Sequence, residues 1–381
     1  MRYKLLGRSG LRVSELCLGT MTFGEDWGWG APKEESRRQY DAFLEAGGNF
    51  IDTANTYTNG TSEEFLGEFM AADRDRIVLA TKYTDGIPNN DPNVAGNHRK
   101  SMVQSVEASL KRLNTTYIDL LWLHTWDFTT PVEEVMRAFD DLVRAGKVLY
   151  IGVSDTPAWV VSQANILAEL RGWTPFVGLQ IEYNLIERTP ERELLPMARA
   201  LDIGVAAWSP LKAGLLSGKY NRPAGSAPAS TPSSSASVSA VLPKRLDDAV
   251  SASFAPLTER SLRIAEQVGQ IARETGATSS QVALNWLRSK GAIPIIGGRR
   301  VDQIKENLAC LNFMLPDEHV LRLDNISRIE LGFPHDFLAN DTVRNFVFGG
   351  MFDAIDNHRL PSVLARPTGA DKARGAVQEK I

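Results

Sequence analysis

The sequence has few cysteines and few histidines, which limits the kinds of site that it can form. Among 381 residues there are two cysteines, Cys17 in a strand-like apolar run and Cys310 on the apolar side of a helix-like segment. This excludes a disulfide framework, and we interpret both thiols as small core residues. The five histidines have no spacing that pairs them with each other or with cysteine, so no metal site is predicted.

Long apolar runs and an excess of basic charge are also missing. No run approaches the ~18 apolar residues of a membrane span, and residues 1–8 carry charges instead of an apolar signal core, so a cytoplasmic protein without a membrane partner is expected. The 42 basic and 46 acidic residues are scattered and leave a net charge of -4, which argues against nucleic-acid binding. The composition is 43% hydrophobic and 23% charged, and residues 1–381 are expected to form one large domain.

Short apolar runs alternate with helix-period segments along the chain, which is typical of repeated βα units and a parallel sheet. Eight such units predict a parallel α/β barrel. The eight strand candidates are residues 15–20, 49–52, 77–82, 118–124, 148–154, 177–183, 204–208 and 293–297.

Two local patterns add to this fold. Thr130 is expected to cap a helix together with Glu133, with Pro131 at the first helical position and Gly146 at the end. Residues 3–13 are typical of two short strands around a Gly-bearing turn, a hairpin that we expect to plug one end of the barrel.

Two further segments are predicted to be irregular. Residues 223–243 consist mostly of Pro, Ala, Gly, Ser and Thr without charge, so they bury too little surface to offset their ordering entropy. This flexible insertion follows the seventh strand, where a lid that orders around a ligand and a passive loop are both open interpretations. Residues 365–381 are predicted to form a disordered tail.

Four side chains able to move or steer a proton stand at or just past the ends of three strand-like runs. They are Asp52 and Tyr57 after the second run, Lys82 at the end of the third and His124 at the end of the fourth. Because the carboxyl ends of barrel strands gather the active site, we expect these side chains to lie together. Taken singly, each has an ordinary structural role as a cap, a half-buried ring, a strand-end charge or a core histidine. Their joint placement favours catalysis.

Lys82 is predicted to tune Tyr57. A neighbouring ammonium stabilises a phenolate, so the pKa of Tyr57 is expected to fall from its usual value of about 10. A lysine in an apolar barrel mouth needs a counter-charge, and Asp52 is the natural partner. His124 would hold a carbonyl oxygen between itself and Tyr57, or relay a proton. Such a set suits protonation of an oxygen while the carbon receives hydride from a nicotinamide.

The run 49–67 strongly resembles the signature of the aldo-keto reductase family, and the matches continue through almost the whole chain. The matching residues in this run are Asp52, Thr53, Ala54, Tyr57, Ser62, Glu63, Leu66 and Gly67. Residues 19–21, 81–82 and 123–124 with Asp127 resemble the ends of the family's first, third and fourth strands.

The resemblance implies a (β/α)8 TIM barrel with an N-terminal β-hairpin plug and a C-terminal extension. It also implies that Asp52, Tyr57, Lys82 and His124 form the catalytic tetrad, with Tyr57 as the general acid. The family binds NADPH without a Rossmann domain, and no G-x-G-x-x-G follows a strand here.

Cofactor contacts carry over from the same resemblance. Ser154 and Gln180 match ligands of the nicotinamide carboxamide, Asp155 stands where the family more often has Asn, and Trp208 matches the ring that stacks on the nicotinamide. Residues 209–220 resemble the pyrophosphate loop. The implied contacts up to the end of this loop are Thr20, Met21, Asp52, Ser154, Asp155, Gln180, Trp208, Ser209, Pro210, Leu211, Gly214, Leu215 and the charged Lys219.

Residues 295–307 resemble the adenosine-phosphate site, and their chemistry agrees independently. Glycines precede Arg299 and Arg300 at the start of a helix, so free amides, the positive helix end and a guanidinium fork would hold a phosphate. This favours NADP(H) as the cofactor. The alternative is that these arginines are solvated helix-start residues. The predicted contacts are Gly297, Arg299 at the 2′-phosphate, and Gln303, Glu306 and Asn307 on the adenine side.

Three functions follow as competing hypotheses. The first is NADPH-dependent reduction of a ketone or aldehyde, or the reverse oxidation of an alcohol. The second is an NADPH-binding regulatory subunit resembling potassium-channel β subunits, although those generally carry Asn at the position of His124. The third is an aldolase that forms a Schiff base through Lys82, against which pairing with Asp52 speaks because it keeps the amine protonated.

The substrate is predicted only as a class. Trp27, Trp29, Trp126 and Phe128 follow the first and fourth strands on the expected active-site face. Of these, Trp27 and Trp126 are the candidate contacts for a bulky apolar or aromatic substrate, and packing between loops is the alternative. Residues 346–352 would cover the same pocket or form a subunit contact. The sequence predicts no oligomeric state.

Overall fold

Eight short parallel strands close into a barrel in the computed structural model, which describes residues 1–219 and 257–355. The strands are neighbours in chain order around the barrel, and the last strand pairs with the first, so the predicted (β/α)8 barrel is confirmed. Each observed strand lies within two residues of its predicted bounds. The barrel strands are β3 (Cys17–Gly19), β4 (Phe50–Asp52), β5 (Val78–Tyr83), β6 (Ile118–Leu123), β7 (Val148–Ser154), β8 (Phe176–Glu182), β9 (Gly204–Trp208) and β10 (Ile293–Ile296).

Helices surround this barrel and bury their apolar faces against the outer face of the strands. The helices that contribute most to the outer core are α1 (Lys33–Glu45), α2 (Thr61–Phe69), α3 (Arg99–Arg112), α4 (Val132–Arg144), α5 (Ala158–Arg171), α6 (Leu194–Ala200), α7 (Glu259–Thr275), α8 (Ser279–Ser289) and α9 (Val301–Leu308). Cys17 and Cys310 are both fully buried, as expected for core thiols.

The start of α4 differs from the prediction. Pro131 has an extended ψ of 136° and is itself the N-cap residue, and no side chain caps this helix end. The Thr130 hydroxyl instead donates to Oδ2 of Asp127 at 2.8 Å. The predicted capping role of Thr130 is therefore wrong, because Pro131 stands between Thr130 and the first helical residue. Gly146 follows the helix with a φ of 70°, as the prediction required.

The amino-terminal hairpin closes one end of the barrel. Strands β1 (Tyr3–Leu5) and β2 (Arg12–Ser14) pair antiparallel, and Leu6 packs without exposed surface against the interior cluster that contains Trp122. Gly7 has a φ of +53°, and a Cβ there would lie 2.5 Å from the carbonyl oxygens of Asp202 and Val177. The turn thus sits directly against the barrel strands, and the predicted plug is confirmed.

A carboxyl-terminal extension follows the barrel and consists of α10 (Asp317–Ser327), α11 (His335–Ala339) and α12 (Asp341–Val347). The predicted flexible insertion at 223–243 and the predicted tail at 365–381 lie outside the described residues. Among the residues that the structure describes, every helix is too short or too polar to cross a membrane.

Candidate active site

Strand alternation delivers Asp52, Lys82 and His124 to one mouth of the barrel. Each stands two positions beyond a side chain that fills the barrel interior, and residues two apart on a strand share a face. The interior residues are Phe50, Ala80 and Trp122. Tyr57 arrives from a separate element, a short turn over Tyr57–Gly60 that includes left-handed residues.

Lys82 joins the predicted tetrad. Its Nζ donates to Asp52 Oδ2 at 2.5 Å, to the carbonyl oxygen of Thr53 at 2.8 Å and to Tyr57 Oη at 3.0 Å. The Lys82 side chain has no exposed surface, so its charge depends on these partners. Burial by itself lowers the pKa of Lys82, but the oxygens of Asp52 and Tyr57 together raise it above its usual value of 10.5. The amine therefore stays protonated.

The pKa of Tyr57 departs from the predicted direction. Burial of the phenol raises its pKa above the usual value of 10.0, and the nearby Lys82 ammonium opposes this shift without cancelling it. The predicted net lowering is wrong, because desolvation outweighs the ammonium. Tyr57 accordingly holds its proton at neutral pH, which suits a proton donor.

His124 faces Tyr57 and also meets a carboxylate that sequence reasoning missed. The two rings lie edge to face with centroids 6.1 Å apart. On its other side, His124 Nδ1 lies 3.0 Å from Oδ2 of Asp85. The signal in the sequence was the position of Asp85, three residues after Lys82 and just beyond the same strand. A carboxylate this close to Nδ1 can hold the imidazole in place.

The residues expected around a nicotinamide carboxamide also meet at this mouth. Ser154 is 1% exposed, and its Oγ has no hydrogen-bond partner in the described structure. Gln180 donates its side-chain amide to Asp52 Oδ1 at 2.8 Å. The Trp208 indole donates to Asp155 Oδ1 at 3.2 Å. An unpartnered buried hydroxyl beside an amide and an indole fits a flat polar group such as a carboxamide.

The loop after β9 has an irregular backbone with several left-handed residues. Ser209, Lys212 and Ala213 have positive φ angles between 45° and 51°, and Gly214 follows at 88°. The N–H groups of Lys212 and Gly214 already donate to the carbonyl oxygens of Ser209 and Leu211 at 2.9 and 3.0 Å, so the pyrophosphate role of this loop stays a prediction. The side chains of Pro210 and Leu215 are buried while Leu211 is partly buried, so these predicted contacts can offer only backbone or a limited surface.

Lys219 also lies at this loop. A Cβ built on Gly214 would meet its Nζ at 2.9 Å, so the ammonium approaches the loop backbone closely. This arrangement places the predicted charged contact beside the predicted pyrophosphate turn.

The start of α9 is more occupied than predicted. Gln303 Oε1 accepts from the backbone N–H of Arg299 at 2.8 Å and of Arg300 at 3.2 Å, and Glu35 Oε1 accepts from the N–H of Val301 at 2.5 Å. The expectation of free amides at this helix end is therefore wrong, because two nearby side chains already accept from them. Gln303 therefore caps the start of α9, whereas the sequence predicted only an adenine contact for it. Glu306 is exposed and Asn307 is 4% exposed.

The first strand end contributes mainly support. Thr20 has no exposed surface, and its hydroxyl donates to the carbonyl oxygen of Asp52 at 3.0 Å. Ser62 Oγ in turn donates to the Thr20 carbonyl at 2.9 Å. The Thr20 side chain is thus used internally, while Met21 is partly exposed. Gly297 is exposed just after β10, with the Gly19 carbonyl 3.3 Å from a Cβ built on it.

The two candidate substrate contacts separate in the structure. Trp27 is 36% exposed, and its ring lies edge to face with Tyr57 at 6.4 Å. Trp126 is only 8% exposed and packs in the outer core beside helix residues such as Val135 and Val160. The Trp126 ring is largely covered by these helices, so its placement gives no support to the predicted substrate contact, which stays a prediction. No pattern in the sequence indicated that Trp126 would be buried.

No group of three or more His, Cys, Asp and Glu side chains among residues 1–219 and 257–355 is arranged to hold a metal ion. The barrel mouth instead presents a buried ammonium, a protonated phenol and an imidazole. The amide, hydroxyl and indole groups described above line the same opening. This donor set can protonate an oxygen while a bound nicotinamide supplies hydride to the attached carbon. The fold and the site therefore define a barrel oxidoreductase.

Comparison with known proteins agrees with this class. The model of the aldo/keto reductase family matches residues 15–328, so the chain belongs to that family. Over 356 residues it is 39% identical to a norsolorinic acid reductase of Aspergillus flavus, covering 90% of this chain and 85% of that protein.

Two further relatives are similar over comparable lengths. The chain is 39% identical over 362 residues to an NADP(+) aryl-alcohol dehydrogenase of Phanerodontia chrysosporium, with 89% of each chain covered. It is 37% identical over 358 residues to a putative aryl-alcohol dehydrogenase of Saccharomyces cerevisiae, covering 89% of this chain and 90% of that protein. Family membership makes the chain a nicotinamide-dependent oxidoreductase that interconverts carbonyl groups and alcohols.

Proposed function

We propose that this protein reduces aromatic aldehydes or ketones with NADPH, and oxidises the corresponding alcohols in reverse, with Tyr57 as the general acid and base. The observation that carries the proposal is the threefold contact of Lys82 Nζ with Asp52 Oδ2, the Thr53 carbonyl and Tyr57 Oη. A fully buried ammonium in contact with a phenol contributes little to stability, and buried charges of this kind are concentrated at functional sites.

In the proposed reduction, Tyr57 Oη donates its proton to the carbonyl oxygen while the bound cofactor supplies hydride to the carbon. Lys82 stabilises the resulting phenolate, and Asp52 keeps Lys82 charged. His124 Nε2 holds the substrate oxygen near Tyr57, since Nδ1 is turned toward Asp85. In the reverse direction the Tyr57 phenolate accepts the proton of the alcohol.

NADPH is preferred in this proposal for two reasons. Arg299 and Arg300 stand immediately before α9, and guanidinium groups pair well with a 2′-phosphate. A relative that is 39% identical is described as an NADP(+) enzyme. An aromatic substrate is supported by the exposed face of Trp27 near Tyr57 and by the aryl-alcohol dehydrogenases among the relatives.

The test is the loss of NADPH absorbance with a panel of aromatic and aliphatic aldehydes and ketones, repeated with NADH. Turnover is expected with NADPH and aromatic carbonyls, and Tyr57→Phe should reduce kcat by about 100-fold or more while NADPH still binds in a fluorescence titration. Unchanged turnover in Tyr57→Phe would contradict the mechanism. Tight NADPH binding without turnover on any carbonyl would favour a regulatory binding protein instead.

A Schiff-base aldolase is disfavoured by the site itself. The raised pKa of Lys82 keeps its amine protonated, and a protonated amine is not a nucleophile.

A further inference from the structure

Behind the tetrad lies a buried charge pair that the proposed chemistry does not use. Glu63 on α2 has no exposed side-chain surface, and the Arg112 side chain is 25% exposed. Its Oε2 accepts from Arg112 Nε at 2.7 Å and also lies 2.7 Å from Nη2, while its Oε1 accepts from Thr81 Oγ1 at 2.6 Å. Both carboxylate oxygens are therefore satisfied inside the protein.

Stability alone is a weak reason for such a pair. Removing a carboxylate and a guanidinium from water costs several kcal/mol, and apolar residues of similar volume commonly serve a core equally well. What a buried ion pair adds is a fixed geometry among the elements that carry it. Here those elements are α2, α3 and β5.

The contacts of this pair converge on Tyr57 and Lys82. Thr81 immediately precedes Lys82 on β5, so its bond to Glu63 ties the lysine-bearing strand to α2. Arg112 Nη2 donates to the carbonyl oxygen of Asn55 at 3.5 Å, a long contact, and a Cβ on Gly60 would lie 2.9 Å from Arg112 Cδ.

Arg112 thus touches the chain on both sides of Tyr57. This short segment has an unusual backbone, since Thr58 and Asn59 have φ angles of 47° and 57° and Gly60 follows at 101°. Left-handed conformations of non-glycine residues persist only where the surroundings determine them. Arg112 is one such surrounding group. The Phe23 carbonyl is a second, because it accepts a hydrogen bond from the Thr58 hydroxyl at 2.5 Å.

We propose that the Glu63–Arg112 ion pair is a positioning device that holds the Tyr57 turn at hydrogen-bonding distance from Lys82. The pair touches no reacting atom. It acts by joining the strand of Lys82 to the two flanks of Tyr57, so that the 3.0 Å contact between Tyr57 Oη and Lys82 Nζ is preset. The proposal rests on the proposed role of Tyr57 as general acid.

The variants Glu63→Gln, Arg112→Met and Arg112→Lys test this role against a matched control. Arg74 forms a similarly buried ion pair with Asp119, 2.7 Å long, and its other contacts are at residues 77, 115 and 117, at the opposite end of the strands. Arg74→Met therefore removes a buried pair of the same kind away from the tetrad.

Two readouts separate positioning from stability. With carbonyl substrate and NADPH, Glu63→Gln and Arg112→Met should lower kcat by about 10-fold to 100-fold with KM changed little, and Arg112→Lys should recover part of the loss. In the protein without added ligand, amide hydrogen exchange of residues 53–60 should rise in both variants. Arg74→Met should lower the melting temperature while leaving kcat and this exchange unchanged.

The proposal is overturned if the Glu63 and Arg112 variants keep the kcat and the exchange of Arg74→Met at a temperature where all are folded. Failure of the proposed function is distinguishable from this outcome. If the wild-type protein reduces no carbonyl, the role of Tyr57 fails, whereas the exchange comparison still reports whether the ion pair holds the turn.

Discussion

Gln180 and Lys82 share the carboxylate of Asp52. Gln180 donates to Oδ1 at 2.8 Å and Lys82 donates to Oδ2 at 2.5 Å. The residue expected to bind the nicotinamide carboxamide is therefore also a partner of the tetrad. Any cofactor contact made by Gln180 would therefore be connected to the charge of Lys82 through one carboxylate group.

This shared carboxylate predicts a double effect of Gln180→Met. Loss of a donor to a buried carboxylate should lower the free energy of unfolding by about 1–3 kcal/mol, and loss of the amide should weaken NADPH binding. We expect the Kd to rise about tenfold, since about 1.4 kcal/mol corresponds to a factor of ten. Urea denaturation and fluorescence titration measure the two quantities.

Asn165→Leu is the control for Gln180→Met. Asn165 is also buried, but it bonds to the backbone of Phe176 on the helix side of the sheet. It should destabilise the protein without changing the Kd. A stability loss without weaker cofactor binding in Gln180→Met would remove Gln180 from the cofactor site.

Asp155→Asn should change stability in a pH-dependent way. Asp155 is an exposed residue at the barrel mouth, yet desolvation by the surrounding protein raises the pKa of its carboxyl above the usual 3.8, although Trp208, His124 and Lys82 act in the opposite direction. The folded state therefore binds this proton more tightly than the unfolded state, so stability falls as pH rises from 3.8 through the raised pKa.

At neutral pH the ionised carboxylate of Asp155 is thus destabilising. Asp155→Asn keeps an acceptor for the Trp208 indole and should raise the melting temperature at pH 7, by no more than about 1 °C because solvent screens the charge of an exposed carboxylate. The gain should disappear in scans below pH 3.8, where both states are protonated. Equal effects at both pH values would show that the charge of Asp155 is irrelevant.

Glu35→Gln should increase the preference for NADPH over NADH. Glu35 places a carboxylate at the start of α9, 2.5 Å from the N–H of Val301, close to the arginines proposed to hold the 2′-phosphate. Removing this negative charge should tighten NADPH binding about fivefold relative to NADH, since a charge near a partly exposed site contributes about 1 kcal/mol.

The measurement for Glu35→Gln is the ratio of the two Kd values. Glu34→Gln is the control, because Glu34 lies on the same helix turn and pairs with Arg38 at the surface. A ratio that is the same in both variants and the wild type would place the 2′-phosphate elsewhere.

Trp27→Ala should weaken binding of aromatic substrates selectively. The exposed indole lies beside Tyr57, and aromatic pairing contributes about 0.5–1.5 kcal/mol beyond buried area. We expect KM for aromatic aldehydes to rise about tenfold, with little change for small aliphatic aldehydes. Trp159→Ala removes an exposed indole from α5 and should leave both values unchanged. Parallel losses for both substrate classes would assign Trp27 to loop packing.

Much of this molecule could be predicted before its structure. The eight strands, the hairpin plug and the grouping of Asp52, Tyr57, Lys82 and His124 all follow from local patterns, because apolar runs set the strands and their ends define one barrel mouth. Local patterns did not predict three other features. These are the raised pKa of Tyr57, the burial of Trp126, and the hydrogen bonds that Gln303 and Glu35 accept at the start of α9. Each of these depends on distances between residues far apart in the chain.

The amino-acid sequence by itself determined the barrel, the family and the chemical types at the mouth, because strand periodicity and the place of each tetrad residue at or just past the end of a strand are local properties. Only the tertiary structure decided how those groups are balanced. Burial raises the pKa of Tyr57 more than the Lys82 ammonium lowers it. Asp52 accepts hydrogen bonds from both Lys82 and Gln180. The pair of Glu63 and Arg112 is proposed to hold the turn that carries the phenol. Desolvation and side-chain contact arise only when distant segments pack together, so no single segment of the sequence contains them.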